Sequence, residues 1–89
     1  MLKVLRFIAA NVRSLRRRRE LTQEQLSELA GVDLRFLQKI ESGKANLSVE
    51  ILVRLSEALS VRPGLLLRAA HLPAPRRGRP RRAGRATGS

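Results

Sequence analysis

Residues 22–43 read TQEQLSELAGVDLRFLQKIESG, and the placement of small and apolar residues in that run decides the fold. Leu26 and the small Ser27 stand one turn into a first helical segment, which Ala30 closes. Gly31 follows, where a turn with φ > 0 is inexpensive because no Cβ clashes. Val32 packs just beyond the turn, and Leu37 and Ile40 are the inward positions of a second segment. Single matches to such a pattern arise easily by chance; six in register around one glycine indicate two short helices that cross closely.

Two helices joined through a tight glycine turn make a helix-turn-helix unit, whose second helix enters the DNA major groove. The boundaries carry their own signals. Thr22 and Gln25 form a capping box, and Glu24 suits the first turn of the helix that ends at Ala30. Asp33 caps the next helix, which is expected to run to about Ser42 and to stop at a left-handed Gly43. Ahead of this unit, Leu5, Ile8, Val12 and Leu15 recur at helical spacing and predict a first helix over about Leu2–Arg19. After it, Ser48 is an N-cap and Ile51, Leu52, Leu55, Ala58 and Leu59 give the apolar face of a fourth helix. Pro63 at a first helical position opens a short fifth one with Leu65, Leu66 and Leu67, whose pattern dies by Leu72.

Composition narrows the chemistry. The 89 residues suffice for one small domain, with two Phe, no Tyr and no Trp, so the core must be aliphatic. With no Cys, disulfides and thiolate metal sites are excluded, and one His without neighbouring ligands leaves no metal site. No cofactor is expected. No nucleophile–base pair is recognisable, so an enzyme is disfavoured. The formal charge is +12, with residues 73–89 holding six Arg and no acid. Such a balance points to nucleic acid or an anionic membrane, and no apolar run approaches spanning length. The stretch MLKVLRFIAANVRSLRRRR has the composition of an acid-free transit peptide, but the same residues are needed as the first helix of the domain. The domain is accordingly assigned to residues 1–72. The Arg/Pro/Gly-rich segment 73–89 lacks sizeable apolar side chains and is expected to be disordered when free.

With these pieces in order, the chain resembles the Cro/repressor-type, or XRE, helix-turn-helix regulators over roughly residues 9–68. The markers are Val12, Leu15 and Arg16, then Leu21-Thr22-Gln23, Leu26, Gly31-Val32, Leu37, Ile40-Glu41-Ser42-Gly43-Lys44, Asn46, Ser48 and Ala58-Leu59-Ser60-Val61. The resemblance implies an all-α, five-helix, lambda-repressor-like domain. It implies that Gln23 touches a DNA phosphate, that the loop Lys44, Ala45 and Asn46 holds phosphate, and that Leu34, Arg35, Gln38 and Lys39 read bases. It also implies a pair between Arg16 and Glu41 that ties the first helix to the third. Three positions depart from the family's pattern. Ser60 stands where Gly is usual, and with positive φ it costs about 1 kcal/mol relative to Gly. Leu47 replaces a frequent Pro. Leu34 is apolar where polar residues are common, and either touches a thymine methyl or reads nothing.

Residue chemistry agrees with that carry-over. At about 100° per residue, Phe36, Leu37, Ile40 and Glu41 share one arc of the third helix, and Arg35, Gln38, Lys39 and Ser42 lie opposite. Arg35 can donate two parallel hydrogen bonds to guanine O6 and N7, and Gln38 can pair bidentately with adenine. Lys39 is a flexible point charge for a guanine or a phosphate. Each is otherwise an ordinary exposed polar side chain. Phe36 belongs with Ile40 in the packing rather than with a base, and Asp33 is a cap rather than a reader, since its charge repels phosphate. The run Arg16–Arg19 reads equally as a solvated helix end and as a phosphate-facing patch. His71 is a polar residue near the end of the fifth helix.

In the tail, Arg77-Gly78-Arg79-Pro80 resembles an AT-hook core, in which Gly lets the backbone lie deep in the minor groove while Arg side chains run along its floor. Arg76 occupies the place of the usual preceding Pro, and a plain cationic arm is the competing reading.

The leading expectation is therefore a sequence-specific transcriptional regulator that binds double-stranded DNA as a homodimer, because one recognition helix reads only a few base pairs. Leu65–Leu67, Val4 and Phe7 are candidates for the dimer surface or for the core. An antitoxin or adaptor of the same fold, with a protein partner such as a toxin, is the alternative; a toxin gene beside this one would favour it. A membrane-surface or RNA-binding protein is a third. The expected location is cytoplasmic and nucleoid-associated, in a bacterial or phage-like setting.

Deleting residues 73–89 should leave the core consensus intact, weaken binding and flatten the salt dependence, because each phosphate neutralised contributes about 0.9 to the slope of log K against log salt. Arg77→Ala with Arg79→Ala should abolish a preference for A·T-rich flanks, whereas Arg82→Ala with Arg85→Ala should not. Equal losses from both pairs on A·T-rich and G·C-rich flanks would reduce the tail to a cationic arm.

Overall fold

A computed structural model describes residues 2–70 and consists of five helices without a strand among those residues. These are α1 (Leu2–Arg18), α2 (Gln23–Ala30), α3 (Leu34–Glu41), α4 (Val49–Ala58) and α5 (Pro63–Leu67). His71, the segment 73–89 with Arg77, Gly78, Arg79 and Pro80, and the boundary assigned after residue 72 lie outside the described residues. The five expected helices are all present. The first ends at Arg18, one residue before the expected Arg19, the third at Glu41, one before the expected Ser42, and the fifth at Leu67, short of the expected end near His71.

The core is aliphatic and receives at least one fully buried side chain from every layer: Val12 from α1, Leu26 from α2, Leu37 from α3, Leu55 from α4 and Leu66 from α5. Leu59 just after α4 joins them, and Phe36, Leu15, Leu21 and Leu47 pack on the periphery. Burying each such Leu is worth about 1.5–3 kcal/mol, which is how a chain with two aromatic residues holds together. Two buried serines sit among these residues, and each satisfies its hydroxyl within its own helix. Ser27 donates to the Glu24 carbonyl at 2.8 Å and Ser56 to the Val53 carbonyl at 2.7 Å. Their small side chains take little room in the core, and neither leaves an unpaired donor.

The N-termini follow the sequence signals. Thr22 and Gln25 close a reciprocal capping box, Asp33 accepts from the Arg35 and Phe36 amides, and Ser48 accepts from the Ile51 amide. The C-termini share one device. After α1, α2, α3 and α4 the chain enters the left-handed region at Glu20, Gly31, Gly43 and Ser60, with φ of 57, 68, 77 and 60°. In each case that residue and the next donate back to the last turn, as Gly43 does to Ile40 and Lys44 to Lys39. This is the Schellman arrangement, which satisfies the orphan carbonyls of a helix end. The sequence pointed to left-handed residues at Gly31 and Gly43; Ser60 stood out only as a departure from the family's usual Gly, with its φ left open, and Glu20 carried no mark.

α5 has only five residues, too few to hold itself by local hydrogen bonding. Asn11 of α1 supplies what it lacks. Its side-chain amide donates to the carbonyls of Leu65, Leu66 and Arg68 at 3.3, 2.9 and 3.0 Å.

Glu20 and Ser60 carry a Cβ where the backbone favours glycine, so Ser60→Gly and Glu20→Gly should each stabilise the fold by about 1 kcal/mol. For a domain of this size that raises Tm by roughly 4–8 °C, measurable by thermal melting followed by circular dichroism. A fall in Tm for Ser60→Gly would show that chain entropy outweighs the relieved strain.

Candidate nucleic-acid interface

α3 is divided lengthwise. Leu37, Ile40 and Glu41 are buried to 3% exposure or less, Phe36 is half-buried, and Arg35, Gln38, Lys39 and Ser42 face solvent. Leu34 is half-buried at the N-terminal end of the same helix. The side chains of Arg35 and Lys39 make no hydrogen bond or ion pair among the described residues, so a guanidinium and an ammonium stand free beside the Gln38 amide. The arrangement offers hydrogen-bond donors of the kind that base edges and phosphates accept.

What holds α3 at this angle is the carboxylate of Glu41. Arg16 donates to it twice, from Nε to Oε2 at 2.7 Å and from Nη2 to Oε1 at 3.0 Å. Gln23 of α2 adds a third bond to Oε1 at 3.1 Å. The remaining Arg16 nitrogen, Nη1, donates to the Leu21 carbonyl at 2.9 Å, and Arg13 Nη1 donates to the main-chain oxygen of Glu41 itself. The Arg16 and Glu41 side chains are 12% and 3% exposed. Two partners from different helices therefore meet the demands of one buried charge, and α1, α2 and α3 are joined at a single point.

The residues expected to meet phosphate fall on both sides of α3. Gln23 lies at the N-terminus of α2; besides its bond to Glu41, its side-chain carbonyl accepts from Gln38 at 3.4 Å. Lys44 and Asn46 are exposed in the loop after α3. Ala45 differs from its neighbours: its methyl is buried in the core, so only its main chain remains for a ligand. The α2–α3 turn is braced from α4, where Arg54 donates to the Gly31 carbonyl at 3.3 Å and pairs with Glu50 at 2.8 Å. Sequence reasoning missed Arg13 and the Arg54–Gly31 contact. The i,i+4 spacing of Glu50 and Arg54 was the one local sign of the latter.

Among the described residues there is no group of three potential metal ligands and no helix long and apolar enough to cross a membrane. A family model described as helix-turn-helix matches residues 12–66. The control protein C.SmaI of Serratia marcescens is 37% identical over 62 residues, which span 68% of this chain and 74% of that protein. Among solved structures, the restriction-modification controller protein C.AhdI from Aeromonas hydrophila superposes with a TM-score of 0.67 at 32% identity, covering 70% of this chain and 94% of that one. The clp gene regulator ClgR from Corynebacterium glutamicum gives 0.68 at 26% identity, covering 72% and 68%.

Removing one member of a buried, hydrogen-bonded pair strands the other, so Glu41→Ala should destabilise the domain by about 3–5 kcal/mol. Denaturant unfolding of Glu41→Ala beside wild type measures this. A loss under about 1 kcal/mol would show that solvent screens the pair as it does a surface bridge.

Proposed function

The chain belongs to the helix-turn-helix family of Cro/repressor-type (XRE) regulators, and from that premise we propose that it controls transcription by reading a DNA operator with α3. The family is one of DNA-binding regulators and not of enzymes. The single observation that carries the reading is the division of α3, with its free donors outward and its apolar side locked to the core. Arg35, near the N-terminus of α3, is the primary reader, forked onto guanine. Gln38 and Lys39 read the adjacent positions, and Leu34 offers an apolar contact to a thymine methyl. Gln23 on one side and Lys44, Asn46 and the Ala45 main chain on the other grip phosphates. The Gln23 amide has a second hydrogen for that purpose beyond the one given to Glu41.

The proposed active form is a homodimer on two half-sites. Of the exposed large apolar side chains, Val4, Val49 and Leu67 gather around one groove of about 210 Å³, so the same face offers a self-complementary contact. The C.SmaI and C.AhdI relatives are named as control proteins, in keeping with a regulatory role for this chain.

Selection of binding sites from random duplex DNA should return a two-fold-symmetric consensus. On the best site Arg35→Ala should cost about 1–3 kcal/mol and relax preference at one base pair per half-site, with little change on non-specific DNA. Equal losses on both would reduce Arg35 to a phosphate contact, and absence of any consensus would remove the proposed function.

A further inference from the structure

We infer that Arg6, on the first turns of α1, is a DNA-backbone contact that extends the phosphate grip of the loop after α3; the inference rests on the DNA-binding reading above. α1 begins at Leu2, well before residue 12, where the helix-turn-helix match starts. Its opening turns are not idle. They lie against the end of the recognition helix, at Gly43. A Cβ built on Gly43 would stand 3.5 Å from Arg6 Cγ, 3.8 Å from Arg6 Cα and 3.9 Å from Ala9 Cβ. The stem of Arg6 is thus laid over the left-handed glycine that immediately precedes Lys44.

Arg6 is exposed, and its guanidinium has no hydrogen-bond or ion-pair partner among the described residues. The nearest acid along this seam, Glu41, is already engaged by Arg16 and Gln23. Arg13, seven residues further along the same face of α1, is spent on the Glu41 main-chain oxygen. Arg6 therefore adds a free guanidinium to the exposed Lys44 and Asn46. A guanidinium forks onto phosphate oxygens with a geometry an ammonium cannot supply. The end of α3 is also the negative pole of its dipole, which repels a nearby phosphate. Arg6 and Lys44 together offset that repulsion and make this end of α3 able to accept the DNA strand.

A packing role alone would need only the stem of the side chain. Arg6→Met keeps most of that stem and removes the charge, so it separates the two. In the full chain, on the operator chosen by site selection, Arg6→Met should keep the wild-type consensus and melting temperature. Its salt slope should be shallower by about 0.9 for each Arg6 engaged. Phosphate-ethylation interference should be lost at one position per half-site, adjacent to the position lost in Lys44→Met. Arg6→Lys should keep most of the slope. Arg68→Met, which removes equal charge at the cleft between α1 and α5, should leave the interference pattern unchanged. If Arg6→Met melts below the assay temperature, Arg6→Gln is read in the same way. A wild-type slope and interference pattern in Arg6→Met, or a change matched by Arg68→Met, overturns the inference while leaving the regulator reading in place. Failure of the wild-type chain to select any duplex removes both.

Discussion

The buried carboxylate of Glu41 is the constraint on which the rest of the interface depends. A charge at 3% exposure is tolerable only when its oxygens are met, because desolvation costs several kcal/mol per ion. Here the donors come from α1 and α2, so satisfying Glu41 fixes three helices relative to one another. The direction of α3 is set by that requirement. Apolar contacts at Leu37 and Ile40 hold the helix down, but such contacts are non-directional and tolerate sliding. A bidentate guanidinium does not slide, and the proposed match of α3 to the edges of bases in a groove needs that precision.

The helix ends impose a second constraint. Four consecutive helices stop by the same left-handed turn, which returns two amides to the last carbonyls and changes the chain direction within a couple of residues. Connections this short leave little freedom in how neighbouring helices pack. They also position side chains: the left-handed turn at Gly43 delivers Lys44 and Asn46 to the flank of α3, beside the stem of Arg6. Where glycine is replaced by Glu20 or Ser60 the fold keeps the same turn at a small cost, since the amides still find their carbonyls.

α1 is thereby more than a support. Along its length it presents Asn11 to the end of α5, Arg13 and Arg16 to the end of α3, and Arg6 to the loop beyond. Each of these contacts ends a helix or follows one. The longest helix thus supplies donors to carbonyls at the ends of α3 and α5, the latter too short to hold itself by local hydrogen bonding.

The sequence alone determined the helices, their caps and the two faces of α3. These are local: a Thr or Asp before an amide-rich first turn, a Gly after the last, and apolar residues every three or four positions all act within a few residues of where they are written. The Arg16–Glu41 pair was also legible, though through family resemblance and not through spacing, since 25 residues separate the partners. Only the tertiary structure decided what Asn11, Arg13 and Arg54 would hold, because each bonds a main-chain carbonyl 23 or more residues away, and every residue has a carbonyl to offer. It alone turned the Ala45 methyl inward, in a loop whose composition is polar. It also forced Glu20 into a conformation that Glu does not advertise, because closing α1 onto Leu21 and Arg16 outweighs a local preference worth about 1 kcal/mol.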